Sequence, residues 1–166
     1  MEKATDFRHV QFHLHEGLNP GTGSRSVDLH QLQELFRVAA FWAAERTLED
    51  LTIAITNSKP VVTAWNGDRQ IGFARATSDG VYRATIWDVV IHPDYQGAGL
   101  GRKLVETVLM HPHVNRAERV YLMTTNQQHF YERIGFEENQ TTTMVLFNKP
   151  VTVAQQDWSA VNELAR

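Results

Sequence analysis

Cysteine is absent from the chain. Without thiols there is no disulfide framework, no cysteine-based zinc site and no covalent catalysis through sulfur. Long apolar runs are absent as well: no segment approaches the roughly 18 consecutive apolar residues of a membrane-spanning helix. Positive charge is not in excess, since the net charge is −3. The broad basic field of nucleic-acid binders is therefore missing. The first residues mix Glu2, Lys3, Asp6 and Arg8 with no apolar stretch. These absences predict a soluble cytoplasmic protein with neither nucleic acid nor membrane as partner. Low-complexity tracts and internal repeats are also lacking. The 166 residues suit one domain with a full core, expected over residues 1–150. Residues 151–166 form a tail in which Val153, Trp158, Val161 and Leu164 can mark a helix face.

What is present centres on Ile86 to Lys103. The apolar, β-branched run through Ile91 predicts a buried strand, which Pro93 stops. Leu100, Leu104 and Val108 recur every fourth residue, with Val105 and Leu109 beside them, so a helix begins near Gly99. The unpaired N–H groups of its first turn and the helix dipole favour an anion, and Gly97, Ala98, Gly99 and Gly101 let a phosphate approach the backbone. Arg102 and Lys103 add positive charge. Two common phosphate loops do not fit. A P-loop needs Gly-Lys-Ser/Thr after four intervening residues from Gly97, where Arg102-Lys103-Leu104 stands. A dinucleotide fingerprint needs glycine at 102.

The rest of the chain predicts a mixed sheet. Arg8 to Glu16 alternates as a strand, and Leu18 to Ser26 reads as a loop. Asp28 with Gln31 resembles a capping box opening a helix that ends near Arg46, and Thr47 caps a second helix stopped by Asn57-Ser58-Lys59-Pro60. Val61–Trp65 and Gln70–Ala76 flank Asn66-Gly67-Asp68 as a hairpin, and Tyr82–Ile91 continues the meander after Asp79-Gly80. Arg119–Thr124 reads as a strand parallel to the preceding one. Asn126 can cap a short helix over Gln127–Ile134, ended by Gly135. Strands are then expected over Phe136–Glu138 and Thr141–Phe147.

The spelling Gln96-Gly97-Ala98-Gly99-Leu100-Gly101, preceded by His92-Pro93-Asp94-Tyr95, resembles the acetyl-CoA pyrophosphate loop of the GNAT acyltransferase superfamily. The element order is similar to that fold over residues 8–147. Within the superfamily, Trp87-Asp88-Val89-Val90 followed by Tyr95-Gln96-Gly97 looks most like plastid and cyanobacterial acetyltransferases that include serotonin (arylalkylamine) N-acetyltransferases. The resemblance implies an α/β fold: one domain with a mixed, mostly antiparallel sheet, splayed central strands and flanking helices. It also implies an acetyl-CoA-dependent N-acetyltransferase acting on a primary amine, possible acceptors including serotonin.

On this resemblance the co-substrate acetyl-CoA is held by Gln96 to Arg102 and by backbone groups of Val89, Val90 and Ile91 beside the pantetheine arm. An N–H near Val90 holds the developing oxyanion, and Tyr131 in Phe130-Tyr131-Glu132-Arg133-Ile134-Gly135-Phe136 protonates the leaving thiolate. Many family members place an asparagine seven residues before that tyrosine; here Thr124 stands there and Asn126 is nearby. A lysine-like amine of pKa ~10.4 is neutral about one part in 2,500 at pH 7, a penalty of ~4.6 kcal/mol. Asp88 is the first candidate base, because a carboxylate in an apolar strand is costly without work or a partner. An ordinary structural hydrogen bond is the equal alternative. His92 and His129 are weaker candidates. His13 with His15, and His111 with His113, lack the acidic or cysteine partners of a metal site. Trp42, Trp65, Tyr82 and Trp87 fit either an aromatic-amine pocket or the core. A protein lysine or N-terminal acetyltransferase, a non-catalytic acyl-CoA-binding module and a homodimer remain open.

Overall fold

A computed structural model describes residues 7–21 and 25–148. The chain divides into two compact units, one up to Leu122 and the other from Met123 onward. The first is built on a sheet of β1 (Gln11–Glu16), β2 (Asn19–Pro20), β3 (Val61–Asn66), β4 (Arg69–Ser78), β5 (Arg83–Ile91) and β6 (Arg119–Tyr121) in the order β2-β1-β3-β4-β5-β6. Every pairing is antiparallel except β5 with β6. The hairpin between β3 and β4 turns where expected, with Gly67 at φ 58° supplying the positive angle. The loop expected after β1 instead folds back as β2, pairing His15 with Pro20 and Glu16 with Asn19.

Helix α1 (Leu29–Ala39) buries Leu32, Leu35 and Phe36, and α2 (Leu48–Thr56) buries Leu51 and Ile55. These pack with Val61, Phe73 and Val90 of the sheet. The first helix stops earlier than its apolar pattern suggests, because Ala40 leaves helical geometry (φ −141°, ψ 78°) before a 3-10 turn at Phe41–Ala43. At the start of α1, Asp28 Oδ1 accepts from Gln31 N–H. Gln31 does not close a capping box on the Asp28 amide; its Oε1 accepts from Gln70 N–H while Gln70 Oε1 accepts from Asp28 N–H. The cap thereby ties α1 to the start of β4.

Helix α3 (Leu100–Met110) buries Leu100, Leu104, Val105 and Val108, as its four-residue spacing requires. A four-residue helix, α4 (Pro112–Asn115), follows. A buried polar chain runs through β1 and β3: Trp65 Nε1 donates to Thr63 Oγ1 at 2.9 Å, whose hydroxyl lies 2.8 Å from His15 Nε2. Burial first, then neighbouring His13, pulls the His15 pKa down to about 4.

In the second unit, α5 (Gln128–Glu132) is shorter than expected. Gln127 rather than Asn126 stands at its N-cap, with no side-chain capping bond, and the Gln127 N–H itself donates to Thr124 Oγ1 at 3.1 Å. The strands expected over 136–138 and 141–147 do not form. Asn139 Oδ1 instead accepts from the amide and hydroxyl of Thr141, a local turn that competes with ladder pairing. Met144, Val145, Leu146 and Phe147 are exposed. The helix expected over 153–166 lies outside the described residues.

Candidate functional site

The end of β5 and the start of α3 bring most of the sequence-predicted residues together. Strand β5 pairs with β6 only through Arg83, Ala84 and Thr85. From Ile86 to Ile91 no described strand pairs with that edge, so its backbone groups are open to an extended ligand. On the other edge the register shifts: Phe73 pairs with Val90 and Arg75 with Trp87. Asp88 and Val89 together therefore face Ala74, forming a β-bulge that turns this segment out of the regular ladder. Asp88 is the bulged residue at positive φ, 56°.

The loop after β5 is held by its own amides. Pro93–Tyr95 forms a 3-10 turn, and Gln96 Nε2 donates back to Ile91 O at 3.0 Å. Gly97 and Gly99 then take φ of 80° and 79°. Nothing lies within 4 Å of where a Cβ would stand at either position. Gly99 caps α3 with no side-chain hydrogen bond to the helix's first N–H groups. A pyrophosphate fits this cradle by backbone donation and dipole, while Leu100 anchors the helix in the core. Arg102 also lies on the first turn, with its Nε donating to Glu106 at 2.7 Å; Lys103 Nζ sits 4.7 Å over the Phe12 ring.

Asp88 is surrounded by cations that spacing does not reveal. Its side chain is 6% exposed; Arg75 Nε donates to Oδ2 at 2.7 Å and Arg46 Nη1 to the same oxygen at 2.9 Å. Arg75 Nη1 also donates to Ser58 Oγ, which itself donates to Ala54 O. The only sequence signal was the demand of a carboxylate in an apolar strand for a partner; Arg46, Ser58 and Arg75 were not named by it.

Among the histidines, His92 Nε2 accepts from Arg69 Nη2 at 2.9 Å. Burial and Arg69 lower its pKa against the opposing pull of Asp94. A groove of about 330 Å³ opens beside it, lined by His30, Gln33, Glu34, Val38, Arg69 and Gln70 among others. The His129 side chain is 94% exposed and bonded to Glu132. Among the described residues no three His, Cys, Asp or Glu gather as a metal site.

Two aromatic candidates belong to the core or its edge: Trp65 is 3% exposed, and Trp87 Nε1 donates to Thr77 Oγ1. Trp42 is partly buried against the core and meets Phe41 edge-on at 5.3 Å, while Tyr82 is exposed. In the second unit Tyr131 is half-buried between Phe130 and Phe136, whose rings meet it edge-on at 4.9 and 5.9 Å. Burial pushes its pKa up to about 12.

With this geometry in hand, residues 57–138 match the family model described as an acetyltransferase (GNAT) domain. An N-acetyltransferase ycf52 of Pyropia yezoensis, named as uncharacterized, is 32% identical over 69% of this chain and 68% of its own length. The chain belongs to the GNAT acetyltransferase family. The chloroplastic GCN5-related N-acetyltransferase 2 of Arabidopsis thaliana is 32% identical over 80% of the chain and 60% of its own length. A Glycine max protein named histone acetyltransferase is 36% identical over 67% of the chain and 48% of its own. The chain thus spans about half to two thirds of the length of these curated relatives. A solved GNAT-family acetyltransferase from Streptococcus pneumoniae superposes with a TM-score of 0.66 at 25% identity, over 85% of this chain and 99% of its own. Acetyl-CoA is the donor of this family, and an N-acetylglutamate synthase of the same fold from Neisseria gonorrhoeae was solved with coenzyme A.

Proposed function

We propose that the chain transfers acetyl from acetyl-CoA to a primary amine by direct attack, with an arylalkylamine such as serotonin as acceptor. The observation that carries the transfer is the open β5 edge, bulged at Asp88 and Val89, leading directly into the glycine cradle of α3. Val89, Val90 and Ile91 line the pantetheine arm, and Gln96 to Arg102 hold the pyrophosphate; Asn126 is a further coenzyme contact of this reading. The amine nitrogen bonds to the thioester carbon, the carbon–sulfur bond breaks, and the departing sulfur takes a proton from the Tyr131 hydroxyl; the proton that the nitrogen sheds passes to water, from which Tyr131 regains its own. A pKa near 12 keeps that hydroxyl protonated throughout the neutral range.

The arylalkylamine reading draws on Phe41 and Trp42, whose edge-on pair stands in the same connection between α1 and α2 as Arg46. Edge-on aromatic pairs offer flat apolar surface to an indole ring. Protein lysine or N-terminal amines are the second reading, favoured by the histone acetyltransferase name of the Glycine max relative. An acetyl-CoA consumption screen across arylalkylamines, polyamines, amino acids and lysine peptides decides between them. Faster thiol release with tryptamine or serotonin than with lysine peptides is the expected result, and the reverse order replaces the first reading with the second. Coenzyme A binding with no thiol release for any amine would leave an acyl-CoA-binding module.

Among the described residues no helix is long and apolar enough to cross a membrane. The reading includes no nucleic-acid or membrane partner. Cytoplasmic placement is part of it, although the Arabidopsis relative is named chloroplastic; cell fractionation separates cytoplasm from plastid. Homodimer formation completes the reading and is measured by sedimentation.

A further inference from the structure

We propose that Asp88 is a positioning residue: Arg75 and Arg46 clamp its carboxylate so that the β5 bulge, and with it the amides of Val89 and Val90, is fixed for the acetyl thioester. The proposal rests on the acetyl-transfer reading above and replaces a direct role for Asp88 in taking the amine proton.

Three observations converge on it. First, Asp88 holds φ at 56°, an angle that costs a residue with a Cβ roughly 1–2 kcal/mol. Glycine would take the same angle without strain, so the bulge's shape alone does not call for aspartate. Second, the carboxylate is the meeting point of elements distant in sequence. Arg75 reaches it from β4, the strand across the bulge, and Arg46 from the connection before α2. Arg75 also bonds Ser58, just past the end of α2. Third, both guanidiniums converge on one oxygen, Oδ2, of a side chain that is 6% exposed. A buried pair of this kind costs desolvation and adds little net stability over apolar packing. What it adds is directional: two fixed donors restrict both the side chain and the backbone that carries it. That backbone lies within the open edge of β5, where in the proposed transfer an N–H must meet a developing negative charge at hydrogen-bond distance.

The test compares the full chain with Asp88→Asn, Arg75→Gln and the double variant, with Arg75→Lys as a milder change. Asparagine tolerates positive φ about as well as aspartate, so Asp88→Asn removes the charge and keeps the backbone preference. The measurements are kcat and KM for acetyl-CoA over a pH series, and the amide resonances of Val89 and Val90 with and without coenzyme A. A misplacement on the scale of 1 Å is worth about 10²-fold, so each single variant is expected to lower kcat by about that factor while KM holds. The acidic limb of the pH–rate profile stays where it is, the double variant is no slower than the worse single, and Arg75→Lys recovers part of the loss. In both single variants the Val89 and Val90 resonances no longer respond to coenzyme A as in the unaltered chain.

Loss of the acidic limb in Asp88→Asn overturns the proposal in favour of a base. So do unchanged kcat in the folded variants, or losses that multiply in the double variant. If Asp88→Asn does not fold, the Arg75→Lys profile and its amide resonances decide by the same criteria. A wild-type chain that acetylates no amine counts against the acetyl-transfer reading alone; the coenzyme-dependent amide shifts then test the clamp by themselves.

Discussion

At Gly97 and Gly99 the chain reaches φ of 80° and 79° by carrying no side chain, whereas at Asp88 it reaches 56° with a buried carboxylate held by Arg46 and Arg75. Both places set backbone at positive φ, and in the proposed acetyl transfer both serve the same coenzyme, yet the physics differs. A glycine turn leaves space for the ligand and relies on the ligand's own phosphates to order it. A clamped aspartate orders the backbone beforehand, through contacts that add little net stability while intact but are costly to break from one side. On the proposed acetyl transfer, the contrast matches two tasks. Gripping a pyrophosphate tolerates adjustment, while aligning an amide with a reacting carbonyl does not.

Removing one side of the clamp should have the largest effect. Asp88→Ala leaves Arg75, whose side chain is 14% exposed, without its carboxylate, and unfolding in urea should show a loss of about 3–5 kcal/mol. A loss no larger than that of Gly97→Ala would erase the contrast.

Acid should weaken the strand-packed region next. The folded His15 pKa of about 4 lies below the unfolded 6.5, so below pH 6.5 the unfolded chain binds a proton that the folded chain refuses. Stability therefore falls as pH drops from 6.5 to about 4 and levels off beyond, by about 3 kcal/mol in all. His15→Gln should flatten that slope in unfolding curves taken at each pH.

Gly99→Ala comes third. Forcing a Cβ into the left-handed region costs about 1–2 kcal/mol, and the new methyl stands where the cradle is open. Calorimetric titration should show acetyl-CoA affinity down about tenfold or more, with kcat at saturation preserved, whereas the Asp88 variants lose kcat. The smallest effect belongs to Arg102→Ala, which removes an exposed pair with Glu106 worth roughly 0.3–0.5 kcal/mol. Any loss of coenzyme affinity there should shrink in high salt.

The legible parts of the molecule were those with a local cause. The Asn66-Gly67 hairpin, the apolar spacing of α3 and the two glycines of the cradle follow from φ preferences and periodicity within a few residues. Where a local pattern lacked its tertiary partner, the reading failed. Thr141 to Phe147 is composed of threonine and apolar residues that suit a strand, but an Asn139 turn and the lack of a pairing strand among the described residues leave it outside the sheet and exposed. The end of α1 at Ala40 and the shift of the α5 N-cap from Asn126 to Gln127, without a side-chain capping bond, are smaller cases of the same kind.

By itself, then, the sequence determined the strand that stops before Pro93, the glycine-rich turn and the apolar spacing of α3, because glycine spacing, proline and hydrophobic period act over short range, and these residues carry the resemblance to the GNAT family. Tertiary structure alone decided what Asp88 touches. Its partners lie on β4 and ahead of α2, far apart along the chain, and a carboxylate's need for a cation carries no information about which cation folding will bring to it.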